Sequence, residues 1–137
     1  MRSLLDDIVT TLSNTDFSIP SVQVRLPYGE LPKSYPIIVI HEVNNVPVDI
    51  GSVTGELTTQ VAYQFDIHTQ NCTDIDDNVL NAFTAGRMLL EEIDDVMQAT
   101  FKFTRRNIRS QATTNDTIVH TLRGECILSS DGYAYRQ

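Results

Sequence analysis

Long apolar runs are missing from this sequence. The longest purely aliphatic one, Ile37-Ile38-Val39-Ile40, spans four residues, against the roughly 20 that a helix needs to cross a bilayer. That run is far too short to span a bilayer, and no membrane partner is expected. No secretory leader is expected either, because Met1-Arg2-Ser3-Leu4-Leu5-Asp6-Asp7 sets two acids where its apolar core would lie. The protein is thus expected to be made and used without secretion. Cysteine is sparse: Cys72 and Cys126 are the whole complement, and in a non-secreted chain such a pair is read as two free thiols. The N-x-[ST] matches at Asn71 and Asn115 then meet no glycosylation machinery.

Positive charge is scarce as well. Ten Lys and Arg stand against eighteen Asp and Glu, for a net charge of −8, which makes the chain ill suited to gripping a phosphate backbone. The shortage is uneven. Residues 1–100 carry 15 acids against 4 bases, whereas residues 101–137 carry 6 bases against 3 acids. A local anionic contact stays open in that last third, and an acidic neighbouring subunit satisfies it as well as any other partner.

Catalytic signatures are also lacking. There is no G-x-S-x-G elbow and no phosphate-cradling glycine loop. Asp74, Asp76 and Asn78 begin like a calcium loop, but Val79 stands where that loop needs Gly and Ala85 where it needs a bidentate Glu. His68 and Cys72 have zinc-ligand chemistry without a second close pair. His41 follows an aliphatic run and His120 alternates with apolar residues, so both are read as structural. Glu91, Glu92, Asp94 and Asp95 spread round a helix, which suits a solvated or subunit-facing surface better than a paired-carboxylate site. No cofactor, no metal and no enzymatic activity are expected.

What is present is periodicity. With 137 residues and 41% hydrophobic content, the chain reads as one domain with a proper core. Val79, Phe83, Gly86, Leu90, Ile93 and Met97 recur at helical spacing, predicting a long helix from about Asp74 to Ala99. Asn71 to Asp74 would cap it, and Asp74, Asp76 and Asp77 would sit in its first turn. Leu4, Leu5, Ile8, Val9 and Leu12 predict a first, shorter helix. Val22, Val24 and Leu26 read as a strand that stops at Pro27, and Pro27 to Pro36 as an irregular loop. The β-branched run Ile37–Ile40 reads as a central strand covered on both faces.

Asn44 to Gly55, with Pro47, Gly51 and Gly55, reads as a long exposed connection whose Val46, Val48 and Ile50 lack an obvious strand partner. Loops of that length are usually there to touch something. Leu57, Val61, Tyr63, Phe65 and Ile67 alternate with polar residues as a strand with one wet face, so the connection becomes the tip of a protruding hairpin arm. Phe101 and Phe103 are placed on one face of a further strand that carries Arg105, Arg106 and Arg109. Ile118, Leu122, Cys126 and Leu128 share one side of the last strand, and residues 129–137 read as a flexible tail. Met88 falls opposite the long helix's apolar stripe, where an apolar residue hints at a contact.

The order of these features resembles a known family. An amphipathic first helix leads to Tyr35-Pro36-Ile37-Ile38-Val39-Ile40, with Glu42 and Asn44 beyond. Next come Tyr63-Gln64-Phe65-Asp66-Ile67-His68-Thr69, a long helix ending Ile93-Asp94-Asp95-Val96-Met97, Phe101 to Arg105, and a final Asp116-x-Ile118 strand. Together these are similar to the tail terminator, or head-to-tail joining, proteins of long-tailed bacteriophages. The chain departs from the family pattern at Thr100, where many relatives have Gly, and after Arg123, where Tyr is often seen.

The resemblance implies an α+β fold: a mixed, mainly antiparallel twisted sheet with two helices packed on one face. It implies a homo-oligomer, a hexameric ring that caps the finished tail tube, stops its growth and meets the head completion or connector protein. Tail tube protein and connector are then the partners, and DNA transits the lumen without being read. Such a virion protein is assembled in the host cytoplasm. Subunit contacts are expected from Val46, Val48 and Ile50 on the arm, and from Met88, Glu91, Glu92 and Asp95 on the helix. Arg105, Arg106 and Arg109 are expected to meet a neighbour's acids. Another neck protein, such as a head-tail adaptor or tail completion protein, is the alternative, and a small hydrolase or nuclease a more remote one.

Overall fold

The computed structural model describes residues 4–28, 34–48, 58–113, 116–129 and 132–133. Helix α1 (Leu4–Ser13) is followed by β1 (Gln23–Arg25), β2 (Ile37–Val48) and β3 (Thr58–Thr69). A two-stranded ribbon, β4 (Cys72–Thr73) and β5 (Val79–Leu80), leads into α2 (Ala82–Phe101), and β6 (Thr104–Ala112), β7 (Ile118–Ser129) and β8 (Gly132–Tyr133) complete the order. The main sheet runs β1-β2-β3-β7-β6, with β8 pairing to the end of β7. Among the described residues only the β1–β2 pairing is parallel. The fold is thus α+β with a mainly antiparallel mixed sheet. Among the described residues no helix is long and apolar enough to cross a membrane.

Period-two alternation decides which sheet face the helices cover. Ile38, Ile40, Val61, Tyr63, Phe65, Ile67, Leu122 and Cys126 are buried on one face and form a single apolar cluster with Leu4, Ile8 and Leu12 of α1 and Leu89, Leu90, Ile93 and Met97 of α2. Both helices therefore pack on the same side. Ile37 and Val39 are buried as well but point away from that cluster, so the β-branched run is covered on both faces as its composition requires.

The long helix begins later than its spacing predicts. Asp74 turns the chain instead: its carboxylate accepts from the Asp76 and Asn78 N–H groups, both at 2.9 Å, and from the Asn78 side chain at 3.0 Å. A short acidic side chain that satisfies nearby N–H groups in this way competes with helix formation. Two asparagines then start α2. Asn71 accepts from Ala82 N–H (2.9 Å), and Asn81, the N-cap, accepts from Thr84 N–H (2.8 Å). The first turn accordingly holds no acid. Val79 and Phe83 are exposed, while Ala82, Ala85, Leu89 and Phe101 complete the buried stripe of Gly86, Leu90, Ile93 and Met97.

Phe101 belongs to that helix and not to a strand. Lys102 adopts a left-handed C-cap (φ 55°) whose N–H, with that of Phe103 at 3.3 Å, returns to the Met97 carbonyl. The reversal leaves Phe101 and Phe103 both buried. Phe103 meets Phe65 edge-to-face at 5.8 Å between ring centroids and lies over Gly124, where an added Cβ would fall 2.4 Å from its ring.

The hairpin also differs from its expected form. Asn44 to Val48 are not an unpaired connection: past a bulge at Val43 they continue β2, with Val46 opposite Gln60 and Val48 opposite Thr58. Ladder hydrogen bonds stabilise this stretch as they do any strand, despite Pro47. Residues 49–57, and with them Ile50 and the tip of the expected arm, lie outside the described residues. In the expected flexible tail, Gly132 and Tyr133 pair with Ser129 and Leu128.

Candidate functional site

The sheet face turned away from the helices carries a polar lattice that follows from strand register. One cross-strand row reads His41, Gln64, Arg123, Asn107, and the next reads Val39, Asp66, Thr121, Arg109. Asp66 is the hub. One of its carboxylate oxygens accepts from Thr121 Oγ1 (3.0 Å) and Gln64 Nε2 (3.1 Å), and the other meets His41 Nε2 at 3.0 Å. His68, half-buried two residues on, is held below its ordinary pKa mainly by desolvation; Asp66 opposes that shift and His41 adds to it.

Beside the hub, Gln64, Asn107, Arg109, Thr121 and Arg123 line a concavity of about 210 Å³. The carboxylate nearest in register, that of Asp66, is already engaged by three donors. Arg109 and Arg123 make no ion pair among the described residues. Two guanidinium groups thus line one concavity with no carboxylate paired to either among the described residues, an arrangement that suits carboxylate or phosphate oxygens. Two larger concavities among the described residues, of about 450 and 440 Å³, each have a single titratable side chain in their lining, Asp16 in one and Asp116 in the other.

The residues singled out from sequence as contacts divide into three groups. Glu91 and Asp95 are exposed on α2, one turn apart on the side opposite its buried stripe, with half-buried Met88 alongside. Neither acid has an ion-pair partner among the described residues. Glu92 faces inward instead: its carboxylate accepts from Ser18 N–H at 2.9 Å and Ser18 Oγ at 2.5 Å. That bond ties the segment after α1 to α2 and removes Glu92 from the exposed surface.

The basic residues behave just as unequally. Arg106 Nε lies 2.9 Å from Asp94 within the same chain, where sequence reasoning favoured a neighbour's acid; the chain reverses at Lys102, so the two meet locally. Arg105 reaches Glu125 at 3.5 Å and stays 75% exposed, and Glu125 also accepts from Gln60 Nε2. Arg109 alone of the three enters the concavity. Its companion Arg123 was not anticipated, although its place between buried Leu122 and Gly124 on a strand marks it as outward-facing.

His120 is structural. Fully buried, it meets the Phe83 carbonyl through Nε2 (3.0 Å) and Ser110 Oγ through Nδ1 (2.6 Å). A carbonyl only accepts, so Nε2 carries the proton and Nδ1 accepts from the serine. Burial holds the ring's pKa low, the Phe83 bond opposes this and Arg87 adds to it. His41 is a third exposed and bonded to Asp66. Cys72 and Cys126 are free thiols, the latter pushed up to about 12 by burial.

The chain matches no protein-family model and no curated protein.

Proposed function

We propose that this protein is a structural subunit of a bacteriophage tail, a tail terminator whose hexameric ring caps the tail tube, stops its polymerisation and joins it to the head connector. The observation that carries the reading is architectural. The features whose order resembles that family close into a single sheet with α1 and α2 on the same face, which is the arrangement the resemblance implies. Glu91 and Asp95, which have no ion pair among the described residues, supply with Met88 a surface for a neighbouring subunit. A net charge of −8 suits a lumen along which DNA slides without sticking.

Mass measurement with negative-stain imaging of the purified protein tests the reading. The expected result is a closed ring of six 15.4 kDa chains with an open lumen. A twelvefold ring would assign the chain to another neck component, and a protein that stays monomeric at high concentration would overturn the proposal.

A further inference from the structure

We propose that the Arg109–Arg123 concavity on the outer sheet face receives the carboxylates of Glu91 and Asp95 from a second copy of this chain, in a head-to-tail contact. The inference rests on the reading that the chain assembles with itself.

Charge complementarity selects this occupant. Arg109 and Arg123 lack an acidic partner among the described residues; of the carboxylates on the same face, Asp66 is engaged by Thr121, Gln64 and His41, and Glu125, two residues along β7 from Arg123, by Arg105 and Gln60. Glu91 and Asp95 lack a basic partner in the same way. Spacing also matches. Residues four apart on a helix have Cβ atoms about 5–6 Å apart. Arg109 and Arg123 are diagonal neighbours, since Arg109 faces Thr121 and Asn107 faces Arg123. Such positions are about 7–8 Å apart, a difference that two long side chains absorb.

Position makes the contact intermolecular. Glu91 and Asp95 lie on the side of α2 away from the sheet, whereas the arginines lie on the side of the sheet away from α2. A helix with its side chains is about 10–12 Å across, so the two patches are out of reach within one chain. Patches on opposite sides of a domain also fail to meet reciprocally in a two-fold dimer. They do meet when each copy docks its helix onto the next copy's sheet, and such a heterologous contact closes into a ring when its rotation permits. Forked guanidinium groups opposite two carboxylates fix the register of that contact.

Charge reversal tests it. Arg109→Glu with Arg123→Glu, or Glu91→Arg with Asp95→Arg, opposes like charges at the contact and should weaken self-association about tenfold or more at about 0.1 M salt. An equimolar mixture of the two double variants should reassemble, because each carries the complement of the other, and so should one chain bearing all four substitutions. Circular dichroism checks that each variant folds. Where a reversal does not, Arg109→Gln with Arg123→Gln replaces it, and association must then lose its salt sensitivity.

Double variants that assemble like the parent overturn the contact while leaving the ring reading intact. Loss in both without recovery on mixing overturns the pairing of these two patches. Self-association unchanged alongside loss of duplex DNA binding overturns it in favour of phosphate as the occupant. A parent protein that does not self-associate at all removes the ring reading and the contact together.

Discussion

Gly86 lies directly against His120: a Cβ added at Gly86 would fall 2.1 Å from Cδ2 of the imidazole and 2.9 Å from Thr69 Oγ1. The ring has nowhere to go, since both its nitrogens are bonded and Phe83 packs edge-to-face on it at 4.9 Å. Thr69 is also held, by a 2.7 Å bond to the Ala82 carbonyl. Glycine in the second turn of α2 is therefore the condition for helix and sheet to approach at this point.

Gly86→Ala should destabilise the fold. Alanine gains about 1 kcal/mol in helix propensity, but overpacking against a pinned ring costs roughly 1–3 kcal/mol, and the fixed surroundings favour the upper end. Chemical denaturation measures the balance. A variant more stable than the parent would mean that the histidine swings away freely.

Leu90→Ala removes one of the most buried side chains of α2, 1% exposed and part of the cluster shared with β3 and β7. Transfer and cavity terms predict a loss of roughly 2–5 kcal/mol. A denaturation curve displaced by less than about 1 kcal/mol would contradict the packing of the stripe against the sheet.

Glu92→Ala should act on stability and not on assembly. It leaves the Ser18 N–H and hydroxyl without their acceptor, at a cost of roughly 1–3 kcal/mol. Ring fraction measured well below the melting point should match the parent. Loss of rings from a fully folded Glu92→Ala protein would return this residue to the interface.

Stability should fall as pH drops below about 6.5, the ordinary histidine value. His120 has a lowered pKa in the fold, so below that pH the unfolded chain binds protons that the native ring refuses. Stability is then full above the unfolded pKa and is lost as pH falls towards the folded one. His68 acts in the same direction. Urea midpoints from about pH 8 to about pH 5 should decline, and His120→Asn should flatten part of that slope. An unchanged slope in the variant would show that other groups carry the pH dependence.

Period and composition by themselves determined the repetitive parts of this protein. Helical spacing located α1 and the Leu90, Ile93 and Met97 face of α2, alternation located the inward face of β3, and β-branching marked Ile37–Ile40 as a strand buried on both sides. These features repeat along the chain, so neighbours in sequence encode them. Tertiary structure decided everything that depends on a distant partner or a single local bond. Asp74 and the asparagines at positions 71 and 81 moved the start of α2, because caps outweigh weak propensity there. Ser18, 74 residues away, turned Glu92 from a surface acid into an anchor. Asp94 claimed Arg106, while strand register set Arg109 beside Arg123. The spacing of charges along a chain does not reveal such pairings, because which carboxylate meets which guanidinium is fixed by how strands align and on which side of the sheet each one emerges.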